Sequence, residues 1–230
     1  MRAILTFHGI DSADPVLSFP PDEFSRLLAG LDRAGLPILT LDRLLRPATR
    51  RGVALTFDDG YESVFTNALP VLRDHGAPAH LFLATGLVGG GEFSSLPMLD
   101  WKQVEALHAA GVRMESHTAS HPDLRDLGDA AIAEECDIAD QVIATRLGRQ
   151  PRYFAYPYGA NDERVQAVVR SRYEAALTTE LRPLGQQEDT AALPRLDSYY
   201  LQARWIQRGL DGYPARAYLG FRRLLRLVRH

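Results

Sequence analysis

Short apolar runs alternate with longer amphipathic stretches along most of this chain. Alternation of this kind is typical of βα units, in which a buried strand is followed by a helix that covers the sheet. We therefore expect an α/β fold. The apolar runs predict eight strands: Ala3–His8, Pro37–Thr40, Val53–Asp58, Ala79–Ala84, Val112–His117, Tyr153–Tyr156, Glu174–Thr178 and Ala192–Leu196.

The stretches between these runs carry start and stop signals of helices. Asp100 followed by Gln103 matches a capping box. Gly76, Gly111 and Gly148 stand where C-terminal caps are expected. These signals and the apolar spacing predict six helices: Pro21–Ala34, Leu41–Leu45, Ser63–His75, Trp101–Ala110, Ala130–Leu147 and Asp162–Ser171.

Strands and helices in this order form either a closed barrel or a doubly wound sheet, and in both the reactive residues collect where strands end. Residues suited to catalysis end four of the predicted strands: His8, Asp58–Asp59, His117 and Tyr156–Gly159. This coincidence favours the mouth of a barrel. A chain of 230 residues with 46% hydrophobic content can bury one ordinary core. We expect a barrel over residues 1–200 and a tail, 201–230, in the same domain.

Two adjacent carboxylates, Asp58 and Asp59, end one predicted strand. Neighbouring strand residues point to opposite faces, so the pair can share a site only if the chain turns there, which Gly60 allows. One carboxylate could then bind a metal ion while the other takes a proton from water. The alternative is a solvated turn, since Asp-Asp-Gly also suits an ordinary turn.

Two imidazoles follow in Ser116-His117-Thr118-Ala119-Ser120-His121. Pro122 disfavours helical geometry at His121, so both rings can converge on a loop. Two histidines and a carboxylate suit a divalent ion in a hydrolase, and the same set occurs in non-haem iron oxygenases. Because an oxygenase would leave the second carboxylate without a role, we favour a hydrolytic metal centre.

These residues resemble the motifs of the polysaccharide deacetylases, also called the NodB-homology family or carbohydrate esterase family 4. Thr56-Phe57-Asp58-Asp59-Gly60 resembles the first motif, and the two-histidine segment resembles the second. Phe154-Ala155-Tyr156-Pro157-Tyr158-Gly159 resembles the third. The resemblance covers about residues 3–200, and the three motifs occur in the order typical of the family.

The resemblance implies a distorted (β/α)7-type barrel and a metal-dependent hydrolase that removes an N-acyl group, commonly acetyl, from an amino sugar. It implies that Asp59, His117 and His121 bind the divalent ion, usually zinc, and that Asp58 is the general base. A carbohydrate is the implied partner.

The third motif is implied to contact the substrate. The backbone N–H of Tyr158 would stabilise the oxyanion, and Tyr156 and Pro157 would lie beside the sugar. Many members have an arginine in this motif that pairs with the base, but its position here is Ala155. Arg195, at the end of a late strand, is a candidate replacement, and the alternative is an arginine on the surface.

Two other motifs of the family are not recognisable. Asp197 could supply part of the fourth, and His230 is a poor candidate for the general acid of the C-terminal Leu-x-x-His. The segment Leu5-Thr6-Phe7-His8 resembles the N-terminus of the biofilm-polysaccharide deacetylases, whose strand order is circularly permuted. We therefore expect His8 to be the general acid, with a structural histidine as the alternative.

The expected function is thus N-deacetylation of an amino sugar or polysaccharide. One alternative is an amidase or deformylase of a small molecule or a lipid-linked sugar. Another is a non-catalytic glycan-binding relative, which would need neither the base nor the full set of metal ligands. Five aromatic residues could stack on sugar rings or belong to the core: Trp101, Tyr156, Tyr158, Tyr199 and Tyr200.

Charge is unevenly distributed, although the net charge is only −3 and does not suggest a nucleic-acid partner. The tail contains seven arginines and one acidic residue, Asp211. Its amphipathic spacing indicates a helix that either packs on the barrel or contacts an anionic membrane or a lipid-linked glycan. No secretory signal or membrane span is recognisable, so we expect a cytoplasmic protein. If the tail contacts a membrane, we expect that contact to be peripheral and on its inner face. The one cysteine, Cys136, has no expected catalytic role.

Overall fold

Seven parallel strands close into a barrel in the computed structural model, which describes residues 1–228 and the side chains of residues 1–226. Their order around the barrel is β1-β2-β3-β6-β7-β8-β9, and β9 pairs with β1 to close it. Two more strands, β4 and β5, form an antiparallel hairpin. The strands are β1 Arg2–Phe7, β2 Gly52–Phe57, β3 Ala79–Leu83, β4 Glu92–Phe93, β5 Leu96–Pro97, β6 Arg113–Ser116, β7 Tyr153–Ala155, β8 Ala175–Leu181 and β9 Leu193–Asp197.

Helices connect the strands and cover the outside of the barrel. Besides several short 3₁₀ turns, a π-helical segment, Val64–Ala68, precedes the third α-helix. The α-helices are α1 Pro21–Arg33, α2 Leu41–Leu44, α3 Leu69–Asp74, α4 Trp101–Ala109, α5 Asp129–Leu147, α6 Glu163–Arg170, α7 Arg204–Arg208 and α8 Tyr213–Val228. The predicted (β/α)7-type barrel is confirmed, and its first strand lies between the second and the last.

The interior of the barrel changes from apolar to polar toward the carboxyl ends of the strands. Along β2 the buried alternate positions are Ala54 and Thr56, followed by Asp58 just beyond the strand. On β1, Ile4 and Thr6 lie in register with Ala54 and Thr56. Since alternate residues share a face, this series directs the first carboxylate toward the barrel axis.

The predicted strand Pro37–Thr40 is wrong. Only Ile38 makes an isolated bridge, to Val53, with Leu39 N–H donating to the Val53 carbonyl at 2.7 Å. Pairing stops there because β3 occupies the same edge of β2 from Leu55 onward.

The predicted helix Ser63–His75 is divided. Its first part is the π-helical segment, in which Leu69 N–H donates to the carbonyl of Val64. Pro70 has no N–H to offer to Thr66 four residues earlier, so an uninterrupted α-helical ladder cannot form there.

The C-terminal segment packs on the barrel through one face. Leu201, Ile206 and Leu210 belong to the main hydrophobic cluster, as do Ala215 and Leu219 of α8. The packed helix was one of the two arrangements expected for the tail. His230 lies outside the described residues. Among the described helices, none combines the length and apolar character needed to cross a bilayer.

Candidate metal centre

Three buried side chains converge at the carboxyl end of the barrel. The Oδ1 atom of Asp59 lies 3.2 Å from Nε2 of His117 and 3.2 Å from Nε2 of His121. One potential ligand atom from each residue falls within 4.8 Å of the others. The three residues that the second and first motifs single out therefore form one group.

A turn after β2 brings both carboxylates to this end of the barrel. Asp58 continues the strand pairing by donating its N–H to the carbonyl of Phe7 at 2.9 Å. Asp59 then adopts φ 69°, in the left-handed region, and Gly60 follows with φ 105°. Such a backbone at a non-glycine residue costs on the order of 1 kcal/mol or more, and strain of this kind is typical of functional sites.

The loop that carries the two histidines is strained in the same way. Thr118 has φ 68° and His121 has φ 60°. The Thr118 hydroxyl accepts a hydrogen bond from the His121 N–H at 3.0 Å, which closes the loop on itself. Compact closure brings the second imidazole back toward the first, with ring centroids 4.8 Å apart.

A carboxylate from α5 holds this loop from outside. Glu135 Oε2 accepts the N–H groups of Ala119 at 3.0 Å and Ser120 at 2.8 Å, and its Oε1 accepts the Ser120 hydroxyl at 2.6 Å. Charge-assisted hydrogen bonds of this kind are stronger than neutral ones. Glu135 therefore fixes two of the three residues between His117 and His121, and no motif had indicated it.

The donor set fits a divalent ion. His117 Nδ1 donates to the carbonyl of Ala155 at 2.7 Å, which leaves Nε2 to face the other ligands. Burial opposes protonation of His117, but the carboxylates of Asp59 and Asp58 outweigh it and raise the pKa of His117. The same carboxylates would attract a metal cation to this position. Two nitrogens and one oxygen suit zinc and similar ions.

The second carboxylate is paired with an arginine from β9, which is separated from β2 by β1 alone. Arg195 on β9 donates from both terminal nitrogens to Asp58, at 2.8 Å to Oδ1 and 2.7 Å to Oδ2. Its Nε donates to the carbonyl of Thr178 at 2.9 Å. Burial disfavours the charge on Asp58, but Arg195 and nearby histidines outweigh it and lower the pKa of Asp58. The candidate replacement for the missing third-motif arginine thus contacts Asp58.

A cavity of about 200 Å³ opens over these side chains. His8 is half-buried in its wall. Burial disfavours the charge on Asp59, but hydrogen bonds from His117 and His121 outweigh burial and hold the pKa of Asp59 well below its usual range. The other residues that line the cavity are Leu17, Asp58, Asp59, Tyr61, Phe93, Ser94, His117, His121, Tyr156, Tyr158, Gly159, Thr179 and Arg195.

The residues of the third motif differ in their exposure: Tyr158 is exposed at the cavity, whereas Tyr156 and Pro157 are buried. Tyr158 has φ 60°, is 64% exposed, and places its ring 4.6 Å from that of His121. Tyr156 is fully buried and its hydroxyl donates to the Ala191 carbonyl at 2.8 Å, which corresponds to the core alternative, although the residue borders the cavity. Pro157 is buried and is not among the residues that line the cavity.

Several other candidates lie away from the cavity lining. Asp197 accepts the N–H of Tyr199 at 2.9 Å, which caps a 3₁₀ turn. Tyr200 lies under the guanidinium of Arg222, 4.8 Å from its ring centroid. Trp101 starts α4 and contacts an arginine of α5. None of the three aromatic residues borders the cavity.

The cavity wall that the β4–β5 hairpin forms was not predicted from the sequence. Phe93 and Ser94 come from the β4–β5 hairpin, and the Phe93 ring lies 5.2 Å from that of His121. Tyr61 and Leu17 complete this side. A two-residue turn at Ser94–Ser95, both with positive φ, lacks the usual Asn-Gly or Asp-Gly signal, so the hairpin had no local signature.

The sequence matches the model of one protein family, described as polysaccharide deacetylase, over residues 46–175, which is more than half of the chain. The poly-beta-1,6-N-acetyl-D-glucosamine N-deacetylase of Staphylococcus epidermidis is 23% identical over 222 residues, covering 84% of this chain and 77% of that protein.

Two solved structures share the fold. IcaB from Ammonifex degensii superposes with a TM-score of 0.78 at 24% identity, covering 90% of this chain and 96% of that one. The deacetylase PplD of Streptococcus pyogenes, solved in complex with acetate, gives a TM-score of 0.76 at 24% identity and covers 85% of this chain and 91% of that one.

Proposed function

This chain belongs to the polysaccharide deacetylase family, and from that premise we propose that it removes the acetyl group from N-acetylglucosamine units of a glycan, with zinc as its metal. Members of this family are metal-dependent hydrolases, and Asp59, His117 and His121 supply a set of metal ligands here. The observation that carries the proposal is the placement of the Asp58–Arg195 pair beside Asp59, His117 and His121 in one cavity. The named glycan of the staphylococcal relative supports the choice of sugar.

Asp59, His117 and His121 would hold the ion. The chemistry that a divalent ion supplies in such a site is polarisation of the acyl carbonyl and activation of water. Because His117 is fixed by the Ala155 carbonyl, its ring orientation is set before any ion binds.

Asp58 is proposed as the general base that takes a proton from the attacking water. A base must be ionised before it can accept a proton, and the paired Arg195 keeps Asp58 in that form. The arginine also fixes the carboxylate in position through two hydrogen bonds. We assign Arg195 a positioning role.

His8 is proposed as the acid that protonates the leaving amine, because it lines the same cavity and imidazole titrates near neutral pH. The backbone N–H of Tyr158 is proposed to donate to the acyl oxygen as negative charge develops there. Its positive φ sets it apart from an ordinary turn residue and supports a functional role.

Acetate release from N-acetylglucosamine oligomers tests this function. We expect release by the metal-loaded protein, loss after chelation, and recovery with zinc. A panel of N-formyl and N-acetyl monosaccharides and lipid-linked sugars covers the amidase and deformylase alternative. Release of formate alone, or turnover of a small molecule only, would refute N-acetylglucosamine oligomers as the substrate and favour the amidase or deformylase alternative.

A second proposal concerns where the enzyme works: we propose that α7 and α8 rest on an anionic membrane surface, on the cytoplasmic side. The outward face of these helices exposes large apolar residues among arginines: Trp205, Tyr213, Phe221, Leu224 and Leu225. Apolar and basic side chains on one face are typical of interfacial helices.

Flotation with phosphatidylglycerol vesicles tests this second proposal. We expect the wild type to float and a Phe221→Ser/Leu224→Ser variant to stay at the bottom. Ile138→Ser is the matched control, because Ile138 is an exposed apolar residue on α5. Equal behaviour of all three proteins would refute the contact, and cell fractionation would test the location.

A further inference from the structure

The hydroxyl of Tyr61 is buried in the wall of the cavity without a hydrogen-bond partner. Tyr61 is 1% exposed, and its oxygen is among the buried side-chain atoms that bond to no described group. The residue follows Gly60 directly after the two carboxylates, and it borders the same cavity. Neither the proposed mechanism nor the sequence motifs give it a role.

The ring cannot turn outward to find water. Tyr61 forms an antiparallel bridge with Met98, and the next residue, Glu62, donates its N–H to the carbonyl of Pro97 at 2.9 Å. The ring stacks on Phe93 at 6.5 Å between centroids. It belongs to a small hydrophobic cluster with Leu96 and Met98. The hydroxyl is therefore held in place by packing on both sides.

Asp59 and Ser94 are polar side chains close to this hydroxyl, but neither meets the distance and angle of a hydrogen bond to it. Asp59 Oδ1 is already in contact with two imidazoles. A buried hydroxyl that makes no hydrogen bond costs about 1–3 kcal/mol. Since the protein supplies no partner, the partner must enter through the cavity.

We propose that Tyr61 donates its hydroxyl hydrogen to a ring hydroxyl of the bound amino sugar and so selects sugars over other N-acyl compounds. This inference rests on the proposed function of the same site. In the proposed mechanism the acyl oxygen would be held by the metal ion and by the N–H of Tyr158, so we expect the acceptor for Tyr61 to be a hydroxyl oxygen of the sugar. A site that bonds a substrate hydroxyl discriminates strongly against analogues that lack it.

Tyr61→Phe tests the inference, because it removes the hydroxyl and keeps the ring. We expect kcat/KM for N-acetylglucosamine oligomers to fall about tenfold, as the loss of one hydrogen bond implies. The metal content should stay the same. The melting temperature of the substrate-free protein should stay the same or rise, because an unpaired buried hydroxyl has been removed. With the matching deoxy-sugar as substrate, wild type and variant should be equally active.

Tyr173→Phe is the matched control. The Tyr173 hydroxyl is also buried, but it contacts Ser116 Oγ at 3.1 Å and Asp140 Oδ1 at 2.9 Å. Removing it should lower the melting temperature and leave kcat/KM unchanged. The two variants are thus expected to behave in opposite ways.

Two results would overturn the inference while the proposed function stands. One is that the wild type is active and Tyr61→Phe has the same kcat/KM as the wild type. The other is a variant with a lower melting temperature or weaker zinc binding by calorimetry, since the hydroxyl would then be a structural or metal-supporting group. A wild type that releases no acetate from any oligomer would instead refute the proposed function, and this inference with it.

Discussion

At the scale of single residues, the pairing of Asp58 with Arg195 decides whether a buried carboxylate can stay charged. The arginine is 1% exposed and carries two hydrogen bonds to the carboxylate. Its candidacy came from the resemblance and from its place at a strand end. The contact itself spans 137 residues of sequence, and only barrel closure brings the two side chains together.

Arg195→Leu should destabilise the metal-free protein by about 3–5 kcal/mol at pH 7, because it leaves Asp58 charged and buried without a partner. The lowered pKa of Asp58 means that the pair stabilises the wild type above the pKa of an unfolded aspartate, and that this stability is lost as pH falls through the folded pKa. In Arg195→Leu, the free energy of unfolding should not show this decrease as the pH falls. Urea unfolding at pH 7 and at acid pH measures both effects.

Arg152→Leu provides the control for that experiment. Arg152 also makes two hydrogen bonds to a carboxylate, Glu174, but both side chains are substantially exposed. Exposed pairs contribute about 0–1 kcal/mol. A similar loss in both variants would show that burial of the Asp58 pair is not the cause.

Cys136 should be unreactive in the folded protein. Burial raises the pKa of its thiol to about 12, so almost no thiolate exists at pH 8. We expect a thiol reagent such as DTNB to label it only after unfolding in urea. Rapid labelling of the native protein would contradict the burial of this side chain on α5.

At the scale of elements, the loop between the two histidines shows what a motif can and cannot predict. The sequence predicted a compact loop from Pro122. It could not predict the support from α5, because Glu135 lies within a long helix and nothing in the sequence distinguishes it from Glu134 beside it. The hairpin escaped prediction for a related reason, since its flank pairs with a distant segment through the bridge between Tyr61 and Met98.

Glu135→Ala should weaken zinc binding about 10- to 100-fold, since groups that orient metal ligands typically matter to this extent. The Ala119 and Ser120 N–H groups would lose their acceptor, and the loop would be free to move His121. Calorimetric titration of the metal-free protein with zinc gives the affinity. Glu134→Ala, at an exposed neighbouring position, should bind zinc as the wild type does.

At the scale of the whole molecule, the barrel explains why residues on or just after six of its strands share one cavity. The alternation of apolar runs predicted an α/β fold, and polar residues at strand ends favoured a barrel over an open sheet. Closure itself depends on β9 pairing with β1, a contact that no local signal encodes. The resemblance, more than the periodicity, supplied the number of strands and the order in which they close.

A buried pair inside the barrel, His80 and Glu115, was also not predictable from local sequence signals. His80 Nδ1 lies 3.0 Å from Glu115 Oε1, and both side chains are fully buried. The other Glu115 oxygen accepts the N–H groups of Arg152 and Tyr153, and His80 Nε2 accepts the N–H of Leu41. This satisfied network ties four elements together, and it lies close below the metal centre because Glu115 precedes His117 by two residues. No pattern in the sequence indicated that His80 and Glu115 pair.

The most direct test of the proposed mechanism is Asp58→Asn, assayed for both metal content and acetate release from N-acetylglucosamine oligomers. Asparagine keeps the shape of the side chain but cannot accept the proton of water. We predict a full complement of bound metal together with a fall in kcat of about 10²- to 10⁴-fold, the range expected for loss of a general base. Turnover at the wild-type rate by the metal-loaded variant would contradict the assignment of Asp58 as the base.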